Sequence, residues 1–293
     1  MTLPMTTEQI NAINGSEPLC TTCGETQHSS SRCTEPSTCS QSDFYELLAW
    51  PGLILYKHKH REEYVQVVDK SIAFVTGIAV SPRPDALYLH ALQTPSDFLR
   101  IATTKAPWWP QNMSIKLLRN GVFGTMGKPG KLSGTTHGLR IDGGHFDGGY
   151  LTMPKGMLGT KLEQFRAIGF DNDASPAQVS SPWDPATFNY SQGLGGFAPE
   201  VLLGPNCRNR NYVGAVPGTA ILVFYSSKLT GTGSVSRSRV QSCLRLFGCP
   251  DTHQVQLDGG GSVFLTVESE GALTRRVIPA SRPVCHAIVI CTP

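Results

Sequence analysis

Three groups of residues in this chain could do chemistry. Asp258-Gly259-Gly260-Gly261-Ser262 sets a carboxylate and a hydroxyl at the two ends of three glycines. Glycines accept positive φ and let another molecule come close to the backbone, and successive N–H groups can form an anion-binding nest. Such a turn either receives a phosphate or a sugar, or is a tight hairpin whose Asp and Ser bond only the loop. Cys20, Cys23, His28 and Cys33 follow the spacing C-x2-C-x4-H-x4-C. Three thiolates and one imidazole make a closed tetrahedral zinc site, and zinc supplies folding energy to a short segment. Between Arg140 and Gly149, the carboxylates Asp142 and Asp147 flank His145 in glycine-dense backbone. An imidazole with a pKa near ~6.5 transfers protons at neutral pH; a surface hairpin is the alternative.

Regular elements must position these groups. Thr252–Leu257 and Val263–Val267 are short alternating runs bounded by turn residues, which predicts two strands with the glycines between them. Just upstream, Val240, Cys243, Leu244 and Phe247 recur at i, i+3, i+4 and i+7, with Ser236 as N-cap and Gly248 as stop, so a helix precedes the first strand. Further strands are predicted at 53–56, 64–69, 71–80, 86–92, 114–118 and 220–224, and a short helix at 94–102. Asn120 ends one apolar strand, where its amide either enters a cleft at the sheet edge or forms an Asn-Gly turn. The polar, Pro- and Ser-rich stretch 171–192 reads as a long loop beside a site.

Composition narrows the function classes. The 293 residues include 30 Gly and 21 Pro, which points to many short strands rather than a helical bundle. A formal charge of +3 is too small to imply a nucleic-acid partner, and no apolar run is long enough to span a bilayer, so no membrane partner is expected. Residues 1–42 lack an aromatic or β-branched core and divide off as a zinc-knuckle-like segment with a flexible linker; residues 43–293 form the globular domain. Nine cysteines are an odd count, which favours reduced thiols and, with no signal peptide visible, a cytoplasmic setting.

The order SVSRSRVQSCLRLFGCPDTHQVQLDGGGS resembles the C-terminal signature of the phosphodiester glycosidase family. Upstream stretches fall in the same order as that family's motifs. Ser114–Leu118 leads into Arg119-Asn120-Gly121-Val122-Phe123, and Gly127-Lys128-Pro129-Gly130 follows; then come Gly195-Gly196-Phe197-Ala198-Pro199, Val201–Gly204, Arg210-Asn211-Tyr212-Val213-Gly214 and the apolar run 220–224. The resemblance covers about residues 51 to 293. Val122, Asn211-Tyr212 and Glu200 depart from the family pattern.

The resemblance implies an α+β fold, a mixed sheet with flanking helices, and a hydrolase cleaving a sugar-phosphate bond in a phosphodiester-linked glycan or nucleotide-like substrate. Its leaving group is a weakly basic phosphate ester, so charge stabilisation matters more than a strong general acid. On that reading Arg210 holds the phosphate, the amides of Gly259, Gly260 and Gly261 cradle it, and Asp258 stabilises the sugar carbon or activates water. Asn120, Gly121 and Ser262 orient substrate oxygens, and His145 or Asp142 carries a proton. No cofactor is expected for catalysis. The 20–33 spacing resembles a CCHC zinc knuckle, with structural zinc, although Thr21 stands where such knuckles carry a stacking aromatic. A competing reading is therefore a nucleic-acid-binding or structural protein that uses the knuckle on a single strand and keeps a catalytically silent fold. Cys39 lies outside the spacing and is an alternative ligand to His28.

Overall fold

The computed structural model describes residues 39–79, 110, 112–121, 123–125, 135–137, 139–141, 144–145, 165–181, 189–201, 209–228, 235–269, 272–279 and 286–293. The chain opens with β1 (Phe44–Trp50), β2 (Leu53–His58), β3 (Glu63–Asp69) and β4 (Phe74–Ala79). Next come β5 (Ser114–Arg119), β6 (Phe123–Thr125), β7 (Thr135–His137), β8 (Leu139–Ile141) and β9 (Gly144–His145). They are followed by β10 (Phe165–Phe170), β11 (Gln178–Ser180), β12 (Gln192–Phe197), β13 (Asn211–Ala215) and β14 (Ile221–Ser227). After the helix α1 (Arg237–Leu246) come β15 (Gln254–Gln256), β16 (Leu265–Ser269), β17 (Ala272–Ile278) and β18 (His286–Thr292).

An 11-stranded sheet runs β1-β2-β3-β14-β13-β15-β12-β10-β11, with β8 paired to β12 and β9 to β8. A 5-stranded sheet runs β17-β16-β5-β18-β4, and β6 pairs with β7. Every pairing among the described residues is antiparallel. The expected α+β fold with a mixed sheet and flanking helices is thereby corrected: the described chain is mostly β, with α1 its one α-helix. The physical reason is in the connections. Parallel neighbours need a crossover of a dozen or more residues, usually a helix, whereas β1, β2 and β3, neighbours in the large sheet, are joined by turns at 51–52 and 59–62.

Alternation along β3 shows how one sheet builds two cores. Tyr64 and Val68 face the small sheet, in a cluster with Leu117, Phe224, Leu265 and Ile288. Val65 and Val67 point the other way, into a cluster with Tyr225, Val240, Leu244 and Phe247. Successive strand side chains take opposite faces, so β3 is buried on both. Each fully buried side chain contributes roughly 1.5–3 kcal/mol, which is ample to hold α1 on the sheet. Ser236 caps the helix by accepting from the Arg239 N–H, and Gly248 follows its end at φ 90°. The edge of β4 is closed by Asn172, whose Oδ1 accepts the Val75 N–H at 2.8 Å and whose Nδ2 donates to the Val75 carbonyl at 3.0 Å.

Two features bring the N-terminal end of the described chain onto α1. Cys39 and Cys243 form a disulfide across a sequence separation of 204. Beside it, the buried Glu63 carboxylate receives the Arg239 Nε–H at 2.8 and 3.1 Å. The disulfide overturns the reduced-thiol reading at this pair and removes Cys39 from the alternative zinc set. Disulfides persist in oxidising compartments, so cysteine chemistry no longer favours a cytoplasmic setting. Among the described residues, no helix is long and apolar enough to cross a membrane. Cys243→Ser is expected to lower stability by about 2–4 kcal/mol in denaturant unfolding, and added reductant should lower the stability of the unsubstituted protein by at least as much.

Candidate functional site

The glycine turn does not close a hairpin. β15, before it, belongs to the large sheet, and β16, after it, to the small one, so residues 257–264 carry the chain from one layer to the other. The crossing falls where β5 ends and β13 begins. Leu257 N–H donates to the Asn211 carbonyl at 2.8 Å, and Asp258 N–H donates to the Gly121 carbonyl at 3.0 Å. Asn120, which has no exposed surface, donates through Nδ2 to the Asp258 carbonyl at 2.7 Å and accepts the Phe264 N–H at 3.2 Å. The Asn211 Nδ2 donates to the carbonyls of Asn120, Gly121 and Asp258 at 3.2, 3.3 and 3.1 Å.

Of the three glycines, Gly260 alone takes a left-handed backbone, at φ 61°. Gly259 is required for a different reason: a Cβ there would lie 2.8 Å from the Asn209 carbonyl oxygen. Asn209 closes the loop reciprocally, accepting the Gly260 N–H at 2.9 Å and donating from Nδ2 to the Gly260 carbonyl at 2.9 Å. The amides of Asp258 and Gly260 are therefore bonded within the protein and are not open donors for an anion. Gly261 and Ser262 complete a short 3-10 turn, with Ser262 buried.

Arg210 stands between Asn209 and Asn211 but turns its side chain to the helix side. Its Nε donates to the Val235 carbonyl at 2.9 Å, and its N–H to Ser227 Oγ at 2.9 Å. Its terminal amines make no hydrogen bond among the described residues. The carboxylate of Glu200 lies instead 3.8 Å from Arg166. His145 is on β9, which pairs with β8 beside the Gly193 end of β12, whereas the Phe197 end of β12 meets Gln256 near the glycine turn. The register thus sets His145 apart from the crossing. Asp142 and the proposed zinc ligands Cys20, Cys23, His28 and Cys33 lie outside the described residues. The sulfurs of Cys39 and Cys243 gather with Glu63 within 4.8 Å, but the disulfide holds both sulfurs and Arg239 holds the carboxylate. The free thiols Cys249 and Cys291 are buried, which pushes both pKa values up and leaves them poor nucleophiles.

Arg119 is the residue that sequence reasoning passed over. It is fully buried at the end of β5, with donors reaching Gln66 Oε1, Asn211 Oδ1, the Tyr225 carbonyl at 3.2 Å and the Asn120 carbonyl at 3.3 Å. The Phe224 ring lies 4.6 Å from the guanidinium carbon. All four acceptors are neutral. Burial pushes its pKa down to about 9, so it remains a cation at neutral pH directly beneath the crossing. An arginine closing a strand after two leucines, just before Asn-Gly, was the available signal.

No family model matches this chain, and no curated protein matches it. Solved structures superpose on it only at low similarity. The catalytic domain of zebrafish N-acetylglucosamine-1-phosphodiester alpha-N-acetylglucosaminidase, auto-inhibited by its pro-peptide, superposes with a TM-score of 0.44 at 13% identity, over 81% of this chain and 77% of that one. A hypothetical protein from Synechocystis gives 0.38 at 11% identity, over 83% and 62%. A Burkholderia pseudomallei protein gives 0.44 at 11% identity, over 82% and 74%.

One glycine near the crossing gives a direct test of its packing. A Cβ on Gly196 would fall 2.1 Å from the Gln256 carbonyl oxygen, between β12 and β15. Gly196→Ala is expected to lower unfolding free energy by roughly 1–3 kcal/mol in urea titration, because the two strands must separate to admit the methyl group.

Proposed function

We propose that this chain is a hydrolase that cleaves the bond between a sugar carbon and a phosphate in a phosphodiester. One observation carries the reading: Asn120-Gly121, Asn211 and Asp258, from three separate motifs of the resemblance, are hydrogen-bonded to one another at the sheet-to-sheet crossing. In this reading the phosphate ester leaves with the bonding electrons, and water supplies the oxygen that replaces it on the sugar. The Asp258 carboxylate faces the positive charge that develops at the sugar carbon or takes the proton from the attacking water. Arg210, anchored through Nε with its terminal amines open among the described residues, takes the departing phosphate. Asn120 is assigned to holding the crossing together, since both ends of its amide are bonded to backbone. The sugar and the group beyond the phosphate are left to the substrate panel.

The test is a panel of hexose 1-phosphate diesters and nucleoside diphosphate sugars, assayed for free reducing sugar. Release from at least one class, with a phosphate monoester or nucleoside diphosphate as the second product, is expected. No release from any substrate by the disulfide-intact protein would overturn the reading.

A further inference from the structure

The Asn211 side chain can sit in two orientations that differ only by exchanging its oxygen and nitrogen, and its partners decide between them. On one side stands Arg119, which has donors and no acceptor; on the other converge the carbonyls of Asn120, Gly121 and Asp258. Only one orientation satisfies both sides. Turned over, Asn211 would set its oxygen against three carbonyl oxygens and its NH2 group against a guanidinium.

The consequence falls on Asp258. Its carbonyl accepts from both Asn120 and Asn211, while its N–H donates to Gly121, so both backbone polar groups are held. With its backbone so fixed, the Cα–Cβ direction of Asp258 is fixed too. Arg119 also donates to the Asn120 carbonyl, so the cation bonds two members of the same clamp. A fully buried cation with only neutral acceptors is costly to keep, and several simultaneous donors are what an arginine offers and a lysine does not.

We propose that Arg119 and Asn211 are a positioning pair: Arg119 sets the orientation of the Asn211 amide, and that amide aims the Asp258 carboxylate. The inference rests on the reading of Asp258 as the reacting carboxylate, and it assigns a role to Asn211, one of the positions where the chain departs from the resembling family. Arg119 does not act on substrate. It acts through Asn211.

The test combines amide hydrogen exchange with steady-state kinetics on Arg119→Met, Arg119→Lys and Asn211→Leu. Exchange of the Asp258 and Gly260 amides is expected to speed up by about tenfold or more in Arg119→Met and Asn211→Leu, while Val65 and Val223 in the large sheet keep their protection. On a diester cleaved by the wild type, kcat should fall about a hundredfold with KM changed less than about threefold, and Arg119→Lys should recover part of the loss. Unchanged exchange at 258 and 260 in Asn211→Leu, or equal acceleration throughout both sheets, would overturn the proposal. So would a loss confined to KM. Should Arg119→Met fail to fold, Asn211→Leu carries the same comparison. If the wild type cleaves no diester yet the local exchange pattern appears, the hydrolase reading falls and the clamp on Asp258 stands.

Discussion

Asp258→Asn is expected to lower kcat for sugar release by about a hundred- to a thousandfold, the range seen when one electrostatic partner of a transition state is removed. The substitution is nearly isosteric, and the backbone N–H and carbonyl of this residue keep their hydrogen bonds whichever side chain it carries. The fold should therefore survive, with Tm moving by less than about 2 °C, equivalent to roughly 1 kcal/mol for a chain of this size. KM should change little, because the lost interaction is strongest with the charge that develops during bond breaking. Retained turnover, or a loss explained by unfolding, would take Asp258 out of the chemistry.

The second large effect lies away from the crossing. Glu63 and Arg239 are each 1% exposed and meet at 2.8 Å between β3 and α1, with Arg61 a further 3.8 Å neighbour of the carboxylate. Removing one partner leaves the other charge buried and uncompensated, which costs about 3–5 kcal/mol. Glu63→Leu is accordingly expected to lower stability by that amount, and thermal unfolding with circular dichroism would measure it. Adding Arg239→Met should recover much of the loss, because a buried ion pair replaced as a unit by apolar groups is often neutral. A double variant as unstable as the sum of its single variants would show that each residue stabilises α1 independently of the other.

Strand positions were legible where periodicity was strong. The runs predicted at 53–56, 64–69, 114–118 and 220–224 lie within β2, β3, β5 and β14 or overlap them closely, and α1 begins after its Ser236 cap. Neighbour relations were not legible, because alternation reveals which face a residue takes and nothing about which strand lies beside it. That is why 258–262 read as a passage between two strands without showing that those strands belong to different sheets. The Cys39–Cys243 pair was hidden for a related reason: nine cysteines leave many pairings open, and spacing does not choose among them. Asn211 was visible only as a departure from the family pattern. Its role depends on Arg119 and on three carbonyls distant in sequence, so no local signal could have supplied it.

The position of bond breaking tests the account most directly. A hexose 1-phosphate diester hydrolysed in water enriched in oxygen-18 acquires the label on whichever atom water attacks, and mass spectrometry of both products locates it. Attack at the sugar carbon, as inferred for Asp258 at the crossing, would place the label on the free sugar and leave the phosphate monoester unlabelled. Label in the phosphate, whether of the monoester or of released hexose 1-phosphate, would show attack at phosphorus and contradict the assignment of this chain as a glycosidase.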